Sequence, residues 1–154
     1  MANRISWNRY FMEMAHLVSK RSTCIRRQHG SVLVRDNRIL TTGYNGSVAG
    51  ARHCTNSGCV REELNIPSGE RYELCVAIHS EQNAIISAAR NGVAIDGVEL
   101  YCTGFPCVIC ARMIVNAGIT TVYYGGVSPT IYKESKEVLD ACEIEYININ
   151  LDGE

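Results

Sequence analysis

One histidine and two cysteines in this sequence are placed where they could hold a single metal ion. Cys107 and Cys110 form a Cys-x-x-Cys pair directly after Pro106, and proline is common in the first turn of helices. The N-terminus of a helix offers unpaired N–H groups and the positive end of its dipole, which favours metal-binding thiolates. His79 stands at the start of another predicted helix and offers a third ligand. Three protein ligands on zinc leave the fourth position for water, as in catalytic sites.

Glu81 adds a carboxylate two residues after that histidine. Zinc lowers the pKa of its bound water from about 15.7 to roughly 7, and a nearby carboxylate can take the proton and deliver it again. Alone, a Cys-x-x-Cys pair is more often a structural knuckle or a redox pair. Together, His-x-Glu and Pro-Cys-x-x-Cys form the signature of zinc-dependent nucleobase deaminases, and this is the hypothesis that the spacing favours.

Further segments resemble the deoxycytidylate (dCMP) deaminase branch of the cytidine deaminase-like superfamily along nearly the whole chain. The similar segments are 21–24, 43–47, 53–54, 58–59, 79–85 and 116–119. General cytidine deaminases and tRNA adenosine deaminases share the zinc triad but lack the N-terminal segments. Ser80 stands where the family usually has alanine, and we expect a small residue there to leave the ligands undisturbed.

The resemblance implies zinc-dependent hydrolytic deamination of dCMP to dUMP and ammonia. The zinc-activated water attacks C4 of cytosine, while Glu81 passes its proton to N3 and then to the departing ammonia. The dUMP would supply dTTP synthesis. Two alternatives stay open: a deaminase of another cytosine or adenine nucleoside, nucleotide or nucleic-acid base, and a zinc-stabilised binding module without catalysis. Glu81 argues against the second, because a carboxylate beside the metal is not needed to hold a fold.

Three residues are candidates for substrate binding. The resemblance places Asn45 at the deoxyribose, where its amide can both donate to and accept from a hydroxyl. The alternative is a turn residue within Tyr-Asn-Gly. Arg26 and Arg27 could meet the 5′-phosphate, because guanidinium groups match phosphate geometry. A solvated basic pair is the alternative for them.

The remaining cysteines suggest a second metal site. Four of them lie outside the catalytic set and could bind a structural zinc: Cys24, Cys54, Cys59 and Cys75. The resemblance supports Cys24 and Cys54, which match zinc-binding cysteines of phage members, whereas Cys59 and Cys75 are our own inference. Buried free thiols are the alternative, and His53 could replace one cysteine. Cys102 and Cys142 lie in apolar surroundings and are expected in the core.

Arg90, near the end of the predicted catalytic helix, is a candidate effector site. The segment 88–92 resembles one that binds effector nucleotides between subunits in the family. The resemblance implies activation by dCTP and inhibition by dTTP, each bound with Mg²⁺, and a homo-oligomer, with a hexamer favoured. An arginine near a helix C-terminus is also favourable by itself, so a capping role is the alternative.

The composition indicates one globular domain that binds a small ligand. The 154 residues fit a single domain over 1–154, and 46% hydrophobic with 20% charged residues excludes collagen-like, disordered and low-complexity classes. A formal net charge of −1 provides no positive field for a polynucleotide partner. Charges interrupt the N-terminal region and glycines break the longest uncharged run, 113–132. We therefore expect no signal peptide and no membrane segment, and place the protein in the cytoplasm.

The hydrophobic pattern predicts the elements that must position these residues. Apolar spacing predicts helices at 7–18, 79–91, 107–117 and 132–142, the first capped by Ser6 and the second closed by Gly92. Short apolar runs predict strands at 31–34, 39–42, 98–103, 120–124 and 144–149, with a hairpin turn at Asp36 and Asn37. Strands alternating with helices favour an α/β fold, a three-layer α/β/α sandwich around a central mixed five-stranded sheet. The stretch 43–75 lacks a strong pattern and needs a function or a staple to be ordered.

Overall fold

The described part of the chain, residues 4–126 and 129–151 of a computed structural model, contains α-helices and β-strands in alternation. The helices are α1 (Trp7–Ser19), α2 (Cys54–Ser57), α3 (Val60–Glu63), α4 (Ser80–Asn91), α5 (Val108–Asn116) and α6 (Lys133–Ala141). The strands are β1 (Gly30–Arg35), β2 (Arg38–Tyr44), β3 (Gly46–Ser47), β4 (Ala77–Ile78), β5 (Glu99–Cys102), β6 (Thr121–Tyr124) and β7 (Glu145–Asn148). Tyr72–Leu74 and Pro129–Ile131 form 3₁₀ turns. Within these ranges, no helix has the length and apolar character needed to cross a membrane.

The central sheet has five strands in the order β2-β1-β5-β6-β7. β1 runs antiparallel to both β2 and β5, whereas β5, β6 and β7 are parallel to one another. Parallel neighbours need a crossover connection, which α5 and α6 supply. The predicted mixed five-stranded sheet is therefore confirmed.

Successive residues of β1 build the two halves of the core, because side chains alternate across a strand. Val32 and Val34 pack on one face against a cluster supplied by α1 and β5: Phe11, Met12, Ala15 and Tyr101. Leu33 packs on the other face with residues that include Ala84, Ile114 and Leu139. Each fully buried aliphatic side chain contributes about 1.5–3 kcal/mol of transfer free energy. Helices thus cover both faces, which confirms the three-layer sandwich.

The hairpin between β1 and β2 turns at Asp36 and Asn37. Both residues have positive φ angles, 49° and 56°. Two positive φ angles in succession define the type I′ turn, whose twist matches that of the paired strands, and short polar residues tolerate it best. The predicted hairpin is confirmed, with one more residue on each strand beside the turn.

Two helices begin at the residues expected to do chemistry. His79 is the N-cap of α4 and Cys107 is the N-cap of α5. The backbone N–H of His79 donates to the side chain of Gln82 at 2.8 Å, which fixes the start of α4. Ser135 of α6 donates to the carbonyl of Pro106 at 2.6 Å, which fixes the start of α5. The two helix N-termini therefore meet at one place beside the sheet.

The stretch 43–75 contains more structure than the sequence pattern indicates. Its start is tied to the residues before α4 by the antiparallel pair β3–β4, in which Gly46 faces Ile78 and Ser47 faces Ala77. α2, α3 and a 3₁₀ turn follow one another along it. Strands of two residues and helices of four are too short to show periodicity, so the sequence analysis did not find them.

The two cysteines expected in the core differ. Cys102 lies on β5 with 1% of its surface exposed, as predicted. The prediction for Cys142 is wrong, because this residue is exposed at the C-cap of α6. Apolar neighbours in sequence do not bury a residue at a helix end, where the chain turns toward solvent.

Candidate active site

His79, Cys107 and Cys110 come together where α4 and α5 begin. The Nδ1 atom of His79 lies 3.4 Å from the Sγ atom of each cysteine. The ligand atoms of the three residues all lie within 4.8 Å of one another, and the two cysteines are buried. One imidazole and two thiol groups form a donor set that suits zinc and leaves a fourth tetrahedral position open.

The charge state of this group also suits a cation. The hydrogen bond from Cys110 and the interaction with His79 lower the pKa of Cys107 to about 4. Burial acts in the opposite direction but is outweighed. The same hydrogen bond, together with burial, raises the pKa of Cys110. Burial alone would lower the pKa of His79, but its hydrogen bond to Cys107 and the charge of Glu81 raise it. Cys107 is thus held as a thiolate, and a zinc ion bound here would displace the protons that Cys110 and His79 retain. The donor set of the three residues fits zinc.

Glu81 lies in the first turn of α4 with 7% of its surface exposed. Its Oε2 atom accepts a hydrogen bond from the hydroxyl of Ser80 at 3.1 Å. The Ser80 oxygen lies 2.7 Å from that of Ser31 on β1. Because Ser80 uses its one hydrogen on Glu81, Ser31 donates to Ser80. The carboxylate is therefore held in place through the sheet, a role for Ser80 that the sequence analysis missed.

A cavity of about 120 Å³ connects these groups with most of the residues singled out in the sequence. From the sequence predictions, its walls contain Cys24, Arg26, Arg27, Asn45, Cys54, Cys59, Cys75, His79, Glu81 and Cys107. The aromatic rings of Phe105, Tyr72 and Tyr132 also line the cavity. A concave pocket with mostly apolar walls and a few converging polar groups is typical of a small-molecule site.

Asn45 lines this cavity, but its amide is engaged with the protein backbone. Its Oδ1 atom accepts from the N–H of His29 and its Nδ2 atom donates to the carbonyl of Arg27, both at 2.8 Å. Asn45 is also 7% exposed. It shapes the wall that Arg27 and His29 form, and its contact with a deoxyribose stays a prediction.

His29 is a pocket residue that the motifs did not indicate. Its Nδ1 atom lies 3.3 Å from the hydroxyl of Thr103, and its ring lies against Gly104, where an added Cβ would stand 3.0 Å from the imidazole. Burial lowers its pKa, against the charge of Glu81, which raises it. Because it belongs to no motif, only its position next to β1 could have drawn attention to it.

Tyr72 is a second pocket residue outside the motifs. Its ring meets that of His79 edge to face, with 4.8 Å between the centroids. Burial, followed by the charge of Cys107, raises its pKa to about 12. Tyr72 therefore remains a neutral wall of the pocket at physiological pH.

The four cysteines proposed for a second zinc line the same cavity as free thiols: Cys24, Cys54, Cys59 and Cys75. Burial raises the pKa of Cys54, and the charges of the other three raise it further. In the described ranges, however, the only group of three or more donor atoms within 4.8 Å is the one at His79. The structure thus gathers these thiols in one region, at a wider spacing than in the catalytic group.

Arg90 is not part of the pocket. It lies exposed in the last turn of α4, at the opposite end of the helix from His79 and Glu81. The helix ends at Gly92, whose φ of 66° is the left-handed conformation expected of a C-cap glycine. Its position fits either a contact with another molecule or a favourable interaction with the helix dipole.

Comparison with known proteins matches this arrangement to a family. The family model of the cytidine and deoxycytidylate deaminase zinc-binding region matches residues 5–126. The ComE operon protein 2 of Bacillus subtilis is 46% identical over 121 residues, which cover 79% of this chain and 60% of that protein. The deoxycytidylate deaminase of Schizosaccharomyces pombe is 44% identical over 121 residues, which cover 79% of this chain and 37% of that protein. This chain thus spans about two fifths to three fifths of these relatives.

A solved structure is similar over nearly its full length. It is the dCMP deaminase of the cyanophage S-TIM5 in complex with dCMP and dUMP, with a TM-score of 0.75 and 31% identity. The similarity covers 91% of this chain and 94% of the phage chain. The match of the family model to most of the chain, together with these relatives, shows that the chain belongs to the cytidine and deoxycytidylate deaminase family.

Proposed function

We propose that this protein catalyses the hydrolytic deamination of dCMP to dUMP and ammonia. The observation that carries the proposal is the buried carboxylate of Glu81 in one cavity with His79 and Cys107. A deaminase needs a proton carrier beside an activated water, and this is the pairing that the cavity offers. The S. pombe relative is named a deoxycytidylate deaminase, and the phage enzyme holds dCMP and dUMP, which supports this substrate.

His79, Cys107 and Cys110 would hold the catalytic zinc. When bound, zinc lowers the pKa of a coordinated water to roughly 7 and so makes a nucleophile available at neutral pH. The protein residues carry out the remaining steps. Glu81 takes the proton from the water and delivers it to N3 of the cytosine. Glu81 then takes the remaining proton of the attacking water, whose oxygen is now bonded to C4, and delivers it to the amino group. The C–N bond breaks, the oxygen becomes the C4 carbonyl, and water and dCMP become dUMP and ammonia.

The surrounding residues hold this proton carrier and line the site. Ser80 donates to one oxygen of Glu81 and so limits the rotation of the carboxylate. Phe105, Tyr72 and Tyr132 place aromatic rings along the cavity wall, so less of that wall is hydrated. Lower hydration strengthens the electrostatic interactions of the buried carboxylate with a developing positive charge.

The test is a substrate panel with the zinc-loaded protein. Ammonia release is measured with dCMP, CMP, deoxycytidine, dCTP and adenosine at equal concentrations. We expect the highest kcat/KM with dCMP. Release from adenosine but not from dCMP would contradict the proposed substrate, and release from none of the five would indicate a binding module without catalysis.

A second, structural zinc is proposed at Cys24, Cys54, Cys59 and Cys75, with His53 as the alternative ligand for one of them. The shared cavity and the charge interaction of the other three thiols with Cys54 support it. Such a zinc would tie the segment after α1 to the stretch 43–75 and to the residue before β4. Closing a long loop in this way stabilises it mainly by restricting the unfolded chain.

Regulation is proposed at Arg90. Its exposed position at the end of α4 supports a contact with an effector nucleotide at a subunit interface. In this proposal dCTP with Mg²⁺ activates and dTTP with Mg²⁺ inhibits a homo-oligomer, with a hexamer as the expected form. The role would be to match the supply of dUMP to dTTP synthesis, and the expected location is the cytoplasm.

A further inference from the structure

The imidazole of His79 needs a contact that fixes its orientation. The backbone N–H of His79 donates to Gln82, which fixes the start of α4 but leaves the ring free to turn about the Cβ–Cγ bond. A rotated ring would carry Nδ1 away from Cys107 and Cys110, from which it now lies 3.4 Å. The position of Nδ1 therefore depends on what lies beside the ring.

The usual restraint on a zinc-binding histidine is a hydrogen bond from its second ring nitrogen. That N–H group donates to a carboxylate, a carbonyl or a water molecule, and the bond fixes the ring. In the part of the chain that the structure describes, the hydrogen bonds of the His79 ring join Nδ1 to Cys107 and Cys110, and Nε2 has no protein acceptor. The protein therefore restrains this ring through another kind of contact.

Tyr72 supplies that contact. The centre of its ring lies 4.8 Å from the centre of the His79 ring, and the two ring planes meet at 81°. This edge-to-face arrangement is favourable because the positive edge of one ring meets the negative face of the other. A rotated imidazole would lose this geometry, so the contact restrains the plane of the ring.

Arg61 in turn restrains the ring of Tyr72. Its guanidinium carbon lies 5.1 Å from the centre of that ring, which is within the range of a cation–π contact. Arg61 is only 7% exposed, and its Nη2 atom donates to the carbonyl of Pro67 at 3.2 Å. Its own carbonyl accepts from the N–H of Ile66 at 2.8 Å. Because Arg61 is bonded through both its backbone and its side chain, it gives the ring of Tyr72 a fixed neighbour.

Arg61, Tyr72 and His79 thus form a chain of contacts from α3 to the start of α4. We propose that Tyr72 and Arg61 are positioning residues: Arg61 fixes the ring of Tyr72, and that ring holds the imidazole of His79 in the orientation that binds zinc. Loss of a partner that orients a metal ligand typically costs about 10- to 100-fold in metal affinity. This inference rests on the zinc site of the proposed function and assigns to it two residues that belong to no motif.

The experiment measures metal binding by Tyr72→Leu, which removes the ring and keeps an apolar side chain. Competition with a chromophoric chelator gives the affinity for the zinc ion that Cys107→Ser lacks. We expect this affinity to fall about 10-fold, the lower end of the range for such partners. With cobalt in place of zinc, the visible absorption bands of the same site should shift, because the imidazole meets the metal at a different angle. Tyr72→Phe keeps the ring, so it should retain the cobalt bands and, within about threefold, the zinc affinity.

Arg61→Gln shows whether Arg61 acts through the ring. Alone, it should weaken zinc binding by less than Tyr72→Leu does. Added to Tyr72→Leu, it should weaken zinc binding no further, because the effects of two residues that act in series are not additive. Tyr10→Leu is the matched control, since it removes an exposed tyrosine from α1 on the other face of the sheet. This control should bind zinc as the wild type does.

Unchanged zinc affinity and cobalt bands in Tyr72→Leu would overturn the inference. Additive losses in the double variant, or an equal loss in Tyr72→Phe, would overturn it too. If Tyr72→Leu does not fold, Arg61→Gln carries the test, and unchanged metal binding in that variant has the same meaning. A wild type that binds zinc but releases no ammonia would contradict the proposed reaction and leave the positioning role in place. An active enzyme whose zinc binding does not depend on Tyr72 would do the reverse.

Discussion

Glu81 depends on two serine hydroxyl groups for its orientation. Ser31 on β1 donates to Ser80 at 2.7 Å, and Ser80 donates to the carboxylate at 3.1 Å. Ser31 and Ser80 are at most 1% exposed, so water cannot replace either bond. The two hydroxyl groups therefore set the orientation of the carboxylate that we propose as the proton carrier.

The variant Glu81→Gln tests the proton carrier. The amide has nearly the same shape but cannot take a proton, so kcat should fall by about 10²–10⁴, or roughly 3–5 kcal/mol. Zinc content and melting temperature should remain close to those of the wild type. Steady-state kinetics together with metal analysis measures this. Activity within threefold of the wild type would contradict the mechanism.

Ser80→Ala tests the serine pair. The change leaves the buried hydroxyl of Ser31 without its partner, which should lower the free energy of unfolding by about 1–3 kcal/mol. The double variant Ser31→Ala/Ser80→Ala removes both polar groups and should recover part of that loss. Chemical denaturation of the two variants gives the comparison. A double variant that loses the sum of two independent changes would show that the hydroxyl groups are not coupled.

The cluster of candidate metal ligands could be anticipated from sequence because its residues stand in short motifs whose spacing reflects two helix N-termini. His79 and Cys107 are N-caps, and an N-cap follows from local sequence. His29 and Arg61 belong to no motif. They reach the pocket only through tertiary packing, and a single sequence does not contain that information in any local pattern.

At the scale of elements, the packing of α4 on β2 sets the position of the site. Gly43 on β2 approaches the helix so closely that an added Cβ would stand 2.2 Å from the carbonyl oxygen of Ser80 and 2.4 Å from the nitrogen of Ala84. Both contacts are with backbone, which cannot rotate away. The first turn of α4, with Glu81, therefore rests directly on the strand.

Gly43→Ala should force the helix away from the sheet. We expect a loss of stability of about 1–3 kcal/mol or more from overpacking, and a lower kcat because His79 and Glu81 move with the helix. Thr42→Ala, at the exposed neighbouring position of β2, is the matched control and should change stability by less than about 0.5 kcal/mol. Thermal unfolding and ammonia release provide both readouts. If Gly43→Ala is as stable as Thr42→Ala, the close packing of α4 on β2 does not contribute to stability.

The long elements could be predicted because their hydrophobic periods are sustained. The helix 79–91, for example, begins one residue later in the structure and ends at the same residue, followed by Gly92 as predicted. The stretch 43–75 was different. Its order comes from the β3–β4 pair and from the bond of Arg26 to the carbonyl of Ile66, which are long-range contacts, and from a local bond of Arg61 to the carbonyl of Pro67.

At the scale of the whole molecule, the stretch 43–75 and the sheet meet at one cavity. The sheet and its helices supply His79, Glu81 and Cys107, whereas this stretch supplies Arg61 and three of the four additional thiols. These are Cys54, Cys59 and, at its last residue, Cys75. Substitution of a proposed ligand of the structural zinc should therefore lower the melting temperature more than it lowers the rate of deamination.

The zinc content of variants tests whether the two proposed metal sites have separate roles. Native mass spectrometry should find two zinc ions per chain. Cys107→Ser should lose one zinc and the activity, whereas Cys24→Ser should lose the other and melt at a lower temperature with most of its activity retained. Cys142→Ser, at an exposed position, is the control and should keep both ions. If the wild type holds only one zinc ion and Cys24→Ser holds the same one, there is no structural site.

Regulation belongs to the same scale, because it requires communication between subunits. If Arg90 binds effectors, initial rates against dCMP should be sigmoidal alone and hyperbolic with dCTP, with a coupling of about 1–3 kcal/mol. Arg90→Ala should remove the response to dCTP. Hyperbolic wild-type kinetics that neither dCTP nor dTTP changes would show that the chain lacks this control, with the deamination reaction unaffected.

The two helix N-termini that meet beside the sheet have a consequence for how such an enzyme can change. The residues proposed to act on the C–N bond stand at the starts of two helices packed beside the sheet, whereas part of the cavity wall comes from residues 48–75, a segment that contributes no strand to the central sheet. The cavity wall and the proposed proton carrier thus belong to different parts of the chain. We expect a chimaera that exchanges only residues 48–75 to change its substrate preference and to keep the same chemistry, which ammonia release from a panel of cytosine nucleotides and nucleosides would measure.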